Sequence, residues 1–196
     1  MPFALVSLCA VGLEVAWLGG VWAATGMTPA GSSALIVVAA ITGFWTLSEA
    51  IFQRRFCEKG ARREGAGALE MVYGIALLAV VTACVAPPHF TVRAALARGA
   101  LIALSGIALR CAAIARLGPH FHNDTGVAPG QEWNSGGIFR YLRHPSEIGV
   151  LLAAAGMALA AGSPLGMALT AFVLAPLSIH RRCREEAELR RAFPHP

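Results

Sequence analysis

The sequence predicts an all-α protein, a polytopic membrane helix bundle of about six hydrophobic helices in which the last two form a helical hairpin. Three observations lead there. Of 196 residues, 56% are hydrophobic and 14% charged, and mean hydropathy is +0.61, whereas an ordinary soluble domain has about 25% charged residues. A soluble chain of this size exposes too much surface for so few charges to cover. The apolar residues also fall in long blocks, near the roughly 17 to 25 residues a helix needs to cross the hydrocarbon of a bilayer. The basic residues, finally, are confined to alternate connections between those blocks.

Residues 3–24, 32–52, 66–86 and 91–117 are each long enough to span. The first block has no basic segment before it, since Met1 and Pro2 lead straight into apolar residues, so it is expected to be a retained helix and not a signal peptide. From Ile148 to Ile179 the chain runs 32 residues without a charge, too long for one untilted span. Gly162-Ser163-Pro164 near its middle favours a turn. Two shorter helices follow, 147–161 and 164–180, with Pro164 in the first turn of the second, where a missing N–H costs little. At 1.5 Å per residue the first is only about 22 Å long, so the hairpin is not expected to reach fully across.

The formal net charge of +5 would suit nucleic acid, but its placement points elsewhere. Arg54, Arg55, Lys59, Arg62 and Arg63 lie between the second and third blocks, Arg140 and Arg143 follow the fourth, and Arg181, Arg182, Arg184, Arg190 and Arg191 follow the last. The connections 25–31 and 87–90 have neither Lys nor Arg. Six crossings put every basic connection and both termini on one side, which the positive-inside rule makes cytoplasmic. The charge is topological, which excludes nucleic acid as a partner and leaves the lipid bilayer. One lysine against fifteen arginines in an alanine-rich chain suits a high-GC bacterial genome, hence a bacterial inner membrane. Cys9, Cys57, Cys84, Cys111 and Cys183 are scattered, with no disulfide framework or zinc spacing.

Ionisable residues at membrane depth are functional candidates. Glu14 and Arg98 lie at similar depths and would neutralise each other, as a structural ion pair or around a substrate. Glu49, Glu70 and Arg110 fall within roughly 10 Å of the cytoplasmic ends of their helices, as a structural cluster or as the floor of a polar cavity. Arg93 can snorkel to the outer interface.

The one long polar connection, 118–146, is of the size at which a loop is usually functional. His120, His122 and Asp124 make a weak metal pattern with no distant partner, and no metal site is expected. Arg143 to Glu147 reads as a helix start, with Pro145 in the first turn and Glu147 near the positive end of the dipole. The same geometry offers free backbone N–H groups to an anion, with the Arg143 fork beside them. Beyond the hairpin, Arg181 with Glu185, Arg182 with Glu186, Arg184 with Glu188 and Glu186 with Arg190 are i,i+4 pairs of a solvated helix end, each worth about 0.2 to 0.5 kcal/mol.

Taken together these segments are more specific. Gly137-Ile138-Phe139-Arg140-Tyr141-Leu142-Arg143-His144-Pro145-Ser146, an apolar hairpin, and then Arg181, Glu185, Glu186, Leu189 and Phe193 resemble the isoprenylcysteine carboxyl methyltransferase and phospholipid methyltransferase family of integral membrane enzymes. Arg116-Leu117-Gly118 agrees as well, and the resemblance covers roughly 40% of the chain, from Arg116 to Phe193. It implies one integrated membrane domain, with transmembrane helices in 1–115 and a cytoplasmic cofactor-binding loop, hairpin and C-terminal helix in 116–196. It also implies S-adenosylmethionine as cofactor and a small lipophilic or lipid-linked substrate. The cofactor residues it implies are Gln131, Glu132, Trp133, Asn134, Phe139, Arg143, His144, Pro145, Ser146, Glu185 and Glu186.

Arg181 corresponds to the family position associated with the acceptor. The catalytic candidates are therefore Arg181, suited to orienting a carboxylate, and Glu185, which with Glu147 is a candidate base. The family usually carries Tyr at the positions of Phe139 and Glu147, and its tail runs on past position 193 with Gly and Tyr positions. Two other readings stand beside methyl transfer. One is an NADPH-dependent membrane reductase of the sterol-reductase type, which shares the R-H-P region; the other is a non-catalytic membrane protein retaining the fold.

Overall fold

The computed structural model describes residues 20, 29–56, 67–85, 93–118 and 136–192. Among them it contains helices and no strand. The longer helices are α1 (Pro29–Phe56), α2 (Gly67–Val85), α3 (Arg93–Leu117) and α4 (Pro145–Ala161), followed by a short α5 (Pro164–Leu169), a π-turn (Thr170–Leu174) and α6 (Ala175–Ala192). A 3₁₀ turn, Gly137–Arg140, precedes α4. The first expected span, 3–24, lies outside the described residues apart from Gly20.

Among the described residues two helices are long and apolar enough to cross a membrane, over Leu35–Phe52 and Ala95–Leu117, while Met71–Val85 and Pro145–Ala161 are shorter apolar helices. Large apolar side chains also cover the outside of the bundle: Ile36 and Leu47 on α1, Met71 and Ile75 on α2, Leu101 on α3, and Phe172 in the π-turn are all exposed. Helices that are apolar all round belong in a nonpolar surrounding.

Between apolar helices in such a surrounding, close packing must come from shape. The closest pair is α3 and α4, which run antiparallel with glycines seven residues apart on each, Gly99 and Gly106 against Gly149 and Gly156. A Cβ at Gly156 would stand 2.3 Å from the backbone nitrogen of Ala103, and one at Gly99 would stand 2.3 Å from that of Ala160. The backbones therefore touch, with Ala103, Ala153 and Ala160 filling the seam at no exposure. This seam brings the arginine-bearing end of α3 alongside the start of α4.

α4 starts at Pro145, whose ring occupies the first turn as its position predicts. It ends at Gly162, in the left-handed conformation at φ 61° and ψ 36°, which glycine adopts without steric cost. Ser163 then does two jobs. Its Oγ accepts from the Gly166 N–H at 3.1 Å, capping α5, and donates to the Ala83 carbonyl at 2.6 Å, fastening the turn to the end of α2. The returning arm runs through the π-turn and on to Ala192, so the charged residues after His180 continue the last helix, as their i,i+4 pairing predicts.

The seam yields a prediction. Gly156→Ala should destabilise the protein by roughly 1 to 3 kcal/mol, the usual cost of overpacking, while Gly74→Ala, with nothing within 4 Å of the added Cβ, should leave it unchanged. Thermal unfolding in detergent checks both; equal melting temperatures for Gly156→Ala and wild type would contradict the close approach.

Candidate active site

At the end of the bundle where α3 stops and α4 begins, three residues of the α4 start each hold a side chain from another helix. The innermost is Glu147, in the first turn of α4, where its charge suits the helix dipole. It is 8% exposed, and a buried carboxylate requires paired donors. Arg181 Nη1 donates to Oε1 at 3.0 Å. Oε2 accepts from Tyr73 Oη at 3.0 Å and from Ser178 Oγ at 2.5 Å. The Arg181 guanidinium also lies 4.6 Å from the centre of the Tyr73 ring, a cation–π distance. α2, α4 and α6 thus meet on one carboxylate.

Ser146, next along the chain, accepts from Nη1 of the buried Arg110 of α3 at 2.7 Å. His144 makes the outer contact. It stands at the N-cap of α4 without capping it, and its ring spans two adjacent carboxylates of α6, with Nδ1 3.4 Å from Glu185 and Nε2 3.2 Å from Glu186. With an acid at each nitrogen the imidazolium is favoured. The hydrogen bond to Glu185 is the chief cause holding the His144 pKa above its ordinary value, against the opposing effect of burial. Glu186 is shifted down, mainly by its hydrogen bond to His144.

These contacts bring together many of the residues singled out from sequence. Arg181 is inside, Glu185, Glu186 and His144 form the outer layer, and Pro145 and Ser146 connect the two. Phe139 is half-buried in the 3₁₀ turn and Arg143 is exposed beside it. Gly137 starts that turn at φ 62° and lies against Arg116, whose Nε would be 3.3 Å from a Cβ there. Gln131, Glu132, Trp133 and Asn134 lie outside the described residues, as do His120, His122, Asp124 and Glu14. Glu49, Glu70 and Arg93 sit on α1, α2 and α3, but their side chains are not described; Arg98 is exposed on α3. No group of three or more metal-ligating side chains occurs among the described residues.

The local ion pairs of the last helix are partly replaced. Glu186 does reach Arg190, at 3.8 Å, and Glu188 meets Arg191 at 3.0 Å. Arg181, however, turns inward to Glu147, and Glu185 turns to His144. Sequence reasoning missed Tyr73 and Ser178 altogether. The available signals were faint: Tyr73 is one of two tyrosines in the chain, within an apolar helix, and Ser178 precedes Arg181 by three residues. Position 147 is not Tyr, yet Tyr73 delivers a phenol to the same carboxylate from α2.

The described residues define a helical fold with helices of membrane-spanning length and a layered ionic cluster at one end. A model of the phospholipid methyltransferase family matches residues 94–195, slightly more than half of the sequence, and the chain belongs to that family of integral membrane methyltransferases. No curated protein and no solved structure matches it.

The outer layer predicts a pH dependence. A histidine whose folded pKa is raised stabilises the fold fully below its unfolded value, about 6.5, and that stability is lost as pH rises through the folded value. The lowered Glu186 acts in the opposite sense, contributing above its unfolded value and losing its effect as pH falls through the folded one. Melting temperature should therefore decline from mildly acid to mildly alkaline pH in the wild type and decline less in His144→Asn. Equal slopes for the two proteins would argue against the carboxylate clamp on His144.

Proposed function

We propose that the chain transfers a methyl group from S-adenosylmethionine to a lipid-type acceptor at the cytoplasmic side of the membrane. The observation that carries this reading is that one family match spans the α3 end, the α4 start and α6, the elements whose side chains converge on the site. The full architecture we infer is six hydrophobic helices with a terminal hairpin, the basic connections and both termini facing the cytoplasm, in a bacterial inner membrane.

The residues present suit the methyl donor. It carries a sulfonium, an ammonium, ribose hydroxyls and a carboxylate, and it supplies an electrophilic methyl group. Glu185 and Glu186 retain partly exposed carboxylates, 43% and 36% accessible, able to accept from hydroxyls or to offset positive charge. Arg143, exposed at the helix start, suits the carboxylate together with N–H groups of the first turn. Phe139, His144, Pro145 and Ser146 shape the wall, and Gln131 to Asn134 complete the proposed cofactor set.

Arg181 belongs to the acceptor side, one turn deeper. There the protein's main contribution is alignment in a water-poor site, since displacement at a methyl carbon needs little acid–base chemistry when the nucleophile is already ionised. A protonated amine or an alcohol would also need a base, for which Glu185 is the accessible candidate and Glu147 the buried one.

Calorimetry on purified protein should show micromolar binding of S-adenosylmethionine or S-adenosylhomocysteine. Glu185→Ala should weaken it by the worth of a charge-assisted hydrogen bond, about 1.5 to 3 kcal/mol. Glu188→Ala, which removes only an exposed pair with Arg191, should not. Binding of NADPH in place of both ligands would favour the reductase reading. Failure to transfer labelled methyl groups into extracted lipid, despite cofactor binding, would favour the non-catalytic one.

A further inference from the structure

The proposed acceptor side contains an anion that methyl transfer does not by itself require. Arg181, the side chain suited to an acceptor carboxylate, is already engaged by one: its Nη1 lies 3.0 Å from Glu147 Oε1, in a pair where the two side chains are 13% and 10% accessible. The other oxygen of Glu147 is held by Tyr73 and Ser178, so the carboxylate is fixed from two sides. A second anion arriving at Arg181 would either share the guanidinium with Glu147, in surroundings where like charges repel strongly, or displace it and leave a buried carboxylate short of its counter-charge. Arg110, across the cluster at Ser146, contributes its charge in either case. Glu147 is the group that decides the balance.

We propose that Glu147 is a specificity-determining residue that matches the charge of Arg181 and so makes this side of the site reject a carboxylate, leaving acceptors with a neutral or cationic reacting group. The word acceptor rests on the methyl-transfer reading; the exclusion of anions from Arg181 rests on the Glu147 geometry alone.

The test measures the charge state around Arg181 directly. Full-length protein in detergent is treated with phenylglyoxal, which modifies guanidinium groups, and adducts on Arg181, Arg190 and Arg191 are followed by peptide mass spectrometry, with decanoate or decylamine as amphiphilic probes. In the wild type, Arg181 should react more slowly than the exposed Arg190 and Arg191, and neither probe should alter its rate. In Glu147→Gln, which retains the shape and an acceptor oxygen but not the charge, Arg181 should react about tenfold faster, as expected when a buried ion pair loses one charge. Decanoate, but not decylamine, should then restore protection.

Decanoate protection of Arg181 in the wild type overturns the proposal, as does an unchanged rate in Glu147→Gln or equal protection of the variant by decylamine. If Glu147→Gln does not fold, Ser178→Ala loosens the same carboxylate and should raise the Arg181 rate by about two- to threefold, the scale of one hydrogen bond, still without decanoate protection; no change in rate would count against the proposal. S-adenosylhomocysteine binding is measured on the same wild-type sample. Its absence would overturn the methyl-transfer reading while the Arg181 rates still decide the role of Glu147.

Discussion

A carboxylate taken out of water must be given its hydrogen bonds and its counter-charge by the protein, and at Glu147 those come from two other helices. Tyr73 belongs to α2, Ser178 and Arg181 to α6, and none is near Glu147 in sequence. The charge can be accommodated only if these helices are already assembled around the start of α4. The neighbouring residues extend the constraint, since Ser146 takes Arg110 from α3 and His144 takes Glu185 and Glu186 from α6. Four consecutive residues, 144–147, therefore join four helices, with Pro145 buried among them fixing the backbone.

That junction depends on two features further down the bundle. The glycine seam brings the α3 and α4 backbones into contact, which puts Arg110 within reach of Ser146. The π-turn adjusts the returning arm. Gly166, Thr170, Leu174 and Ser178 are all buried at four-residue spacing, a stripe that a regular helix of 3.6 residues per turn would rotate away from its neighbours. The wider π-turn at Thr170–Leu174 compensates for that drift, so Ser178 and Arg181 arrive on the face that meets Glu147. Small side chains and one irregular turn position the charges.

The strongly periodic and local features were legible in the sequence. The apolar blocks 32–52, 66–86 and 91–117, the break at Gly162-Ser163-Pro164 and the helix start at Pro145 each follow from the residues at those positions, and the structure has helices and boundaries there. The pairing of Arg181 was not legible. By spacing its natural partner is Glu185, one turn along, yet an exposed pair of that kind is worth only about 0.2 to 0.5 kcal/mol. A buried Glu147 left without its cation would cost far more, so the distant partner wins. His144 captures Glu185 for a related reason, since one imidazole between two acids serves both. Tyr73 and Ser178 were hidden because a lone hydroxyl in an apolar block reads as ordinary core until a carboxylate is found beside it.

The two layers differ in what they can exchange. In the outer one Glu185 and Glu186 remain partly open, and their partner His144 is held by acids that a polar ligand could itself satisfy. Its contacts can be traded at modest cost because water is close by. In the inner layer the Glu147 carboxylate is closed in, and breaking its pair with Arg181 would strand a charge among apolar helices. A site built this way favours a division of labour along α6. On the proposed methyl-transfer reading, polar and charged groups of the donor would bind where carboxylates can still choose their partners, and a lipophilic group would be met one turn deeper by a cluster whose charges are already matched.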